Sequence, residues 1–132
     1  MSHYQKTTRN ITVTVKPYFL DEQSEPSEDQ YYWAYHVKIS NQSNETVQLL
    51  KRFWQITDGK GRSVEVRGEG VVGEQPILQP GEEFEYTSAA PLPTPSGIMV
   101  GAYQLSNDAG ERFDVDIPAF SLDSPHERVQ LN

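Results

Sequence analysis

From Ile11 onward the chain alternates between apolar and polar positions. Ile11, Val13 and Val15 are spaced by threonines and followed by Lys16, which places the β-branched side chains on one face of a strand over about residues 10–18. Tyr31 to Ser40 repeats the pattern more strongly, with Trp33, Tyr35, Val37 and Ile39 on one face and Tyr32, Ala34, His36 and Lys38 on the other. Asn41-Gln-Ser-Asn44 is turn chemistry, and Val47 to Thr57 reads as the next strand, with Leu50, Arg52, Trp54 and Ile56 sharing a face. Asp58-Gly-Lys-Gly61 closes a hairpin onto Arg62 to Arg67, where Val64 and Val66 point the same way. Further strands follow at Glu82 to Ala89, Gly97 to Leu105 and Glu111 to Ile117, the last two joined around Asn107-Asp-Ala-Gly110 and the last ended by Pro118.

Pro91, Pro93 and Pro95 deny a helix between the fifth and sixth of these strands. Seven short strands, separated by turn signals and without a sustained helical period, predict an all-β, two-sheet antiparallel sandwich of immunoglobulin-like or fibronectin type III-like kind. A chain of 132 residues accommodates one such domain, with its core over about residues 10–122, a flexible N-terminal arm and a loose tail from Asp123.

Composition narrows the function classes. The chain has no cysteine, which removes disulfides, thiolate zinc sites and a Cys nucleophile and fits a reducing compartment. The residues after Met1 form no apolar signal core, and no apolar run approaches the roughly 18 residues of a membrane span, so a cytoplasmic protein without a membrane partner is expected. A formal net charge of −8 repels a polyanion and disfavours nucleic acid. Part of that charge sits in one solvated segment containing Asp21, Glu22, Glu25, Glu28 and Asp29.

Gly68-Glu-Gly-Val-Val-Gly73 matches the glycine spacing of a dinucleotide fingerprint, but that fingerprint needs a strand before it and a helix after it. Here β-branched Val71 and Val72 lie inside the run, Pro76 follows, and no βαβ unit surrounds it. Two readings stay open: a glycine loop that permits backbone turns, or a concave nest of amides that takes an anion with help from Arg67, Arg62 or Arg52. His3, His36 and His126 stand at no recognisable triad spacing. Asp114 with Asp116, and Glu82, Glu83 and Glu85, read as solvent faces of strands before they read as cation ligands. Lys51-Arg-Phe-Trp54 mixes cations with aromatics, and placing Arg52 on the same face as Trp54 sets a buried ring against a charge, which marks the segment as a candidate binding surface.

Taken together, Val47 to Trp54, Ile56-Thr-Asp-Gly59, Val64 to Pro76, Leu78 to Ser88, Met99 to Tyr103 and Phe113 to Pro118 resemble the bacterial ApaG family, also called CorD, over about residues 10–122. The resemblance implies a fibronectin type III-like sandwich with no established enzymatic activity and no cofactor. Related domains fused to eukaryotic F-box and polymerase-delta-interacting proteins imply protein–protein interaction. It also implies a genetic link to cobalt resistance and magnesium efflux, and proximity to a diadenosine tetraphosphatase gene. The proposal that the family's glycine motif binds pyrophosphate-containing nucleotides carries onto Gly68, Gly70 and Gly73. Leu78-x-Pro-Gly-x-x-Phe84 resembles the fibronectin corner, with Phe84 where a tyrosine usually stands.

The expectation is therefore a non-catalytic binding module for a protein partner, with pyrophosphate or a dinucleoside polyphosphate as the alternative ligand. Arg52, Trp54, Arg67, Gly68, Glu69, Gly70 and Gly73 are the candidate contact residues. An exposed sheet edge could also pair with a second copy of the chain.

Overall fold

The computed structural model describes residues 4–126. Its strands are β1 (Tyr4–Thr8), β2 (Ile11–Phe19), β3 (Tyr31–Asn41), β4 (Val47–Asp58), β5 (Ser63–Glu69), β6 (Ile77–Leu78), β7 (Glu83–Leu92), β8 (Ser96–Asn107) and β9 (Arg112–Asp123). One sheet runs β1-β2-β3-β7 and the other β5-β4-β8-β9, with β6 beside the start of β4. Every pairing is antiparallel. The helical content of the described residues is one short turn, Pro26–Glu28, in the acidic segment. The expected two-sheet antiparallel sandwich is the observed architecture.

The period-two pattern maps directly onto burial. Val13, Val15, Trp33, Tyr35, Val37 and Ile39 line the inner face of one sheet, and Leu49, Trp54, Tyr103, Leu105, Val115 and Ile117 that of the other. The Tyr35 and Phe120 rings meet Trp54 edge-on, with centroids 5.2 and 5.9 Å away. Burying each large apolar side chain of this kind contributes about 1.5–3 kcal/mol, and in a chain without disulfides this packing carries the fold.

Four boundaries differ from the sequence reading, each for a local reason. Residues 4–8 are not a loose arm but an edge strand, joined to β2 by a two-residue turn in which Arg9 and Asn10 both have positive φ (50° and 64°). Its side chains are mostly exposed, so it carries no hydrophobic signature. β7 continues to Leu92 through Pro91, which is tolerated because β7 is an edge strand. β9 does not stop at Pro118. The register slips between Met99 and Gly101 of β8, so Pro118 falls in a bulge where its missing N–H breaks no regular ladder bond, and the strand runs on to Asp123. Beyond it, Ser124 donates its N–H to Pro95 at 3.0 Å and the His126 ring packs against Phe19 at 5.7 Å. The rest of the expected tail, like His3, lies outside the described residues.

Candidate functional site

A bulge in β4 decides what each residue of Lys51-Arg-Phe-Trp54 does. Leu49 pairs with Leu105 and Lys51 with Gln104, leaving Leu50 as the extra residue. The inward positions therefore change from odd to even along the strand. Val47 and Leu49 face the core before the bulge; Arg52, Trp54 and Ile56 face inward after it, and Lys51, Phe53 and Gln55 face outward. Trp54 is 2% exposed and belongs to the core, so it is no contact surface.

Arg52 shares its face yet is only half-buried, and the apparent conflict is resolved by its hydrogen bonds. Its Nη1 donates to the carbonyls of Glu69 and Gly70 at 3.1 and 3.0 Å. The guanidinium lies over Gly68, where an added Cβ would stand 2.7 Å from Nη1. Burial pushes the phenols of Tyr35, Tyr86 and Tyr103 up, and the positive charge of Arg52 offsets part of that. Arg52 thus ties the glycine run to the open side of the sandwich.

The glycine run folds onto itself. Gly68 and Glu69 end β5. Val71 and Glu74 exchange two backbone hydrogen bonds, at 2.8 and 2.9 Å, and Val72 and Gly73 form the tip at φ 42° and 82°. Gly70 has φ 67°, and a Cβ on it would lie 2.3 Å from the carbonyl oxygen of Glu74. The Leu50 carbonyl, next along the β4–β5 ladder, accepts from the Gly70 N–H at 2.8 Å and from Gln75 Nε2 at 2.9 Å. Val71 is buried as the anchor. The run is a hydrogen-bonded cap clipped onto the β4 bulge, and the amides of Gly70, Val71 and Glu74 are already committed within the protein. Among the described residues, the tip amides of Val72 and Gly73 make no backbone hydrogen bond, and the Glu69 amide faces the open edge of β5.

Outside the sheet, Lys51, Phe53, Arg67, Glu69, Gln104 and Asp114 border a depression of about 500 Å³. The Arg67 guanidinium sits 4.3 Å above the Phe53 ring, pairs with Glu65 at 3.6 Å and leaves its side chain 71% exposed. Gln104 Oε1 is buried beneath the depression without a hydrogen-bonding partner. Phe53 is absent from the residues that the sequence singles out as contacts, because attention there falls on Arg52 and Trp54 of the opposite face. The hairpin at Asp58–Gly61 already placed Phe53 opposite Arg67. A second, apolar groove of about 280 Å³ opens between β5 and β7, bordered by Ile56, Val64, Val66, Pro91, Leu92 and Pro93.

The other sheet carries a polar line on its outer face: His36 Nδ1 lies 2.8 Å from Thr87 Oγ1 and His36 Nε2 lies 2.7 Å from Glu85. Strand pairing brings these three residues together although the sequence separates them widely. Nucleophilic catalysis also needs a shaped site with donors aimed at an oxyanion, whereas the depression on this face is bordered by Leu20, Gln23, Gln30, Tyr32 and Ala89. Among the described residues, no three His, Cys, Asp or Glu side chains form a group able to hold a metal ion. Asp116 is paired with Lys6 at 3.1 Å and Glu83 with Lys38 at 3.9 Å. No helix of the described residues is long and apolar enough to cross a membrane.

Fold and surface together define a small antiparallel β-sandwich domain whose glycine run serves as a cap on a bulged strand. A family model described as the ApaG domain matches residues 21–107. Protein ApaG of Paramagnetospirillum magneticum is 60% identical over 129 residues, spanning 98% of this chain and 99% of that protein. Protein ApaG of Rhodospirillum centenum is 61% identical over the same length and the same shares. The crystal structure of the putative ApaA protein from Bordetella pertussis superposes with a TM-score of 0.86 at 49% identity, covering 92% of this chain and 98% of that one. The chain belongs to the ApaG family.

Proposed function

We propose that this chain is a non-catalytic binding module on a fibronectin-like sandwich, working in the cytoplasm, and that it holds a protein partner on the outer face of β4 and β5. The observation that carries the proposal is the Arg67 guanidinium stacked on Phe53 in an open depression beside Lys51. A half-buried aromatic ring under an exposed planar cation is the kind of anchor that dominates protein interfaces.

The glycine cap adjoins this surface and shapes it, but three of its amides are already bonded within the protein, which weighs against a pyrophosphate nest. Any role in cobalt resistance or magnesium efflux would then pass through the partner.

The test is photo-crosslinking in the native cell from position 53, with Lys16 on the other sheet as the control position. A discrete protein adduct at position 53, absent at position 16 and lost with Lys51→Glu, supports the proposal. Equal adducts from both positions would overturn it. Calorimetric binding of pyrophosphate that is lost with Lys51→Glu, in the absence of any protein adduct, would establish the ligand as an anion instead.

A further inference from the structure

The two edges of the five-stranded sheet are treated differently. At β9 the first strand closes the side of the sandwich, with Lys6 paired to Asp116 and the Asp116 N–H donated to Thr8 Oγ1 at 3.2 Å. At the opposite end β5 has a neighbour on one side only. The carbonyl of Arg62 accepts from the Asp58 N–H at 2.9 Å, and the Gly70 N–H donates to Leu50 at 2.8 Å. Even-numbered positions therefore bond toward β4. By the alternation of an antiparallel ladder, Ser63, Glu65, Arg67 and Glu69 turn their backbone groups to the open edge.

We propose that this edge pairs antiparallel with β5 of a second copy, around a twofold axis through Val66, joining two five-stranded sheets into one. Charge selects that register. With Val66 opposite its own copy, each Glu65 stands directly across from Arg67 of the other chain, and both are outward-bonding positions that exchange two backbone hydrogen bonds per pair. Shifting the axis to Glu65 or to Arg67 keeps the hydrogen bonds but sets like charges face to face. On the inner face Val66 meets its copy, with Val64 diagonal to it; these valines are 37% and 62% exposed in the single chain, over the apolar groove beside Pro91 and Leu92. Charges on an edge strand repel a foreign strand. Here they neutralise one another only against a copy in this register, so the occupant is specified.

The joined surface is one strand edge and two valines on each side, well below a standard stable interface, so an affinity of roughly micromolar order is expected. The inference does not depend on the protein partner proposed above, because its readout is the mass of the purified chain alone.

Analytical ultracentrifugation of the full chain across micromolar to roughly millimolar concentration should show a reversible dimer. Glu65→Arg and Arg67→Glu should each weaken it about tenfold or more, since attraction becomes repulsion twice per dimer. The double variant, which restores opposite charges across the axis, should recover the original affinity to within about threefold. Because the chain has no cysteine, Val66→Cys offers a separate readout. A non-hydrogen-bonded antiparallel pair holds its Cα atoms about 4.5 Å apart, within disulfide reach, so mild oxidation should give a covalent dimer. Val64→Cys, which faces Gly68 of the other chain, should cross-link far less. A monomer at all concentrations, single variants as dimeric as the parent, or a folded double variant that stays monomeric would each overturn the proposal.

Discussion

Tyr86 of β7 and Tyr103 of β8 share a hydrogen bond between their hydroxyls, one side chain reaching from each sheet into the middle of the sandwich. Tyr103 is fully buried and Tyr86 nearly so. Each supplies the other's polar partner, close to the Tyr35 phenol and the Arg52 guanidinium, so the pair satisfies its hydroxyls while fixing how the two sheets sit on each other. Phe84 packs its ring on Tyr86 with centroids 6.1 Å apart, and the hydroxyl contact is made by Tyr86, two residues further along the same strand.

The pair predicts a non-additive mutant cycle. Tyr103→Phe leaves the Tyr86 hydroxyl buried and unmatched and should cost about 1–3 kcal/mol, whereas the double phenylalanine variant should cost less than the sum of the singles. Urea denaturation checks both. Burial holds both phenols above their ordinary value of 10.0 in the folded protein. Their contribution to stability is therefore complete below about pH 10 and is lost as the pH rises toward the folded values, because the unfolded chain gives up these protons first. The double variant should flatten that alkaline loss.

Substituting the glycines one at a time should separate them by their local geometry. Gly70→Ala should be the most damaging, since its Cβ would lie 2.3 Å from a backbone oxygen at a left-handed φ. Gly73→Ala meets nothing within 4 Å and should cost only the conformational strain, about 1–2 kcal/mol. Gly68→Ala collides with the end of the Arg52 side chain, so its cost should fall when Arg52→Ala is combined with it. Thermal melts of the three single variants and the double check this order. If Gly73→Ala proved as harmful as Gly70→Ala, the cap would owe its shape to something other than these contacts.

Arg52 should act on the cap's dynamics more than on the sheets. Replacing it with alanine removes the donor to Glu69 and Gly70. Amide exchange at Gly70 and Val71 should quicken, while exchange in β3, whose pairing does not involve Arg52, should stay as it was. Uniform acceleration across the chain would instead mean that Arg52 supports global stability.

What the sequence made legible follows from where period two holds. Over β3 the alternation of Trp33, Tyr35, Val37 and Ile39 matched burial residue by residue, because both neighbouring strands pair with it without a slip. At Leu50 one extra residue moved the inward set from odd to even positions, so a single unbroken alternation misplaced Val47 to Leu50 at the start of β4, while Arg52 does share the inward face with Trp54 and is accommodated by hydrogen bonds that the pattern does not show. β1 escaped notice for a different reason: an exposed edge strand has no apolar face to betray it. The glycine run was readable as a loop and as a family mark. That the amides of Gly70, Val71 and Glu74 are spent within the protein depends on contacts between Leu50, Gln75 and Glu74 that no spacing rule encodes.

The acid limb of stability should be traceable to two turns. Burial by itself would raise the Asp58 carboxyl, but backbone N–H groups of Arg62 and Lys60, at 3.0 and 2.8 Å, and the Arg62 guanidinium at 3.1 Å together hold it below its ordinary value of 3.8. At the β8–β9 turn, hydrogen bonds from Arg9, its charge and the Asn107 amide hold Glu111 below 4.5. Both folded values lie under the unfolded ones, so the stabilisation is present above the unfolded values and disappears as the pH falls through the folded ones. Asp58→Asn combined with Glu111→Gln should therefore be less stable than the parent at neutral pH, with the gap narrowing progressively below about pH 4. Urea midpoints measured from about pH 7 down to about pH 2.5 provide the check. A gap that stayed constant over that range would mean that the two carboxylates stabilise their turns through shape alone and not through their charge.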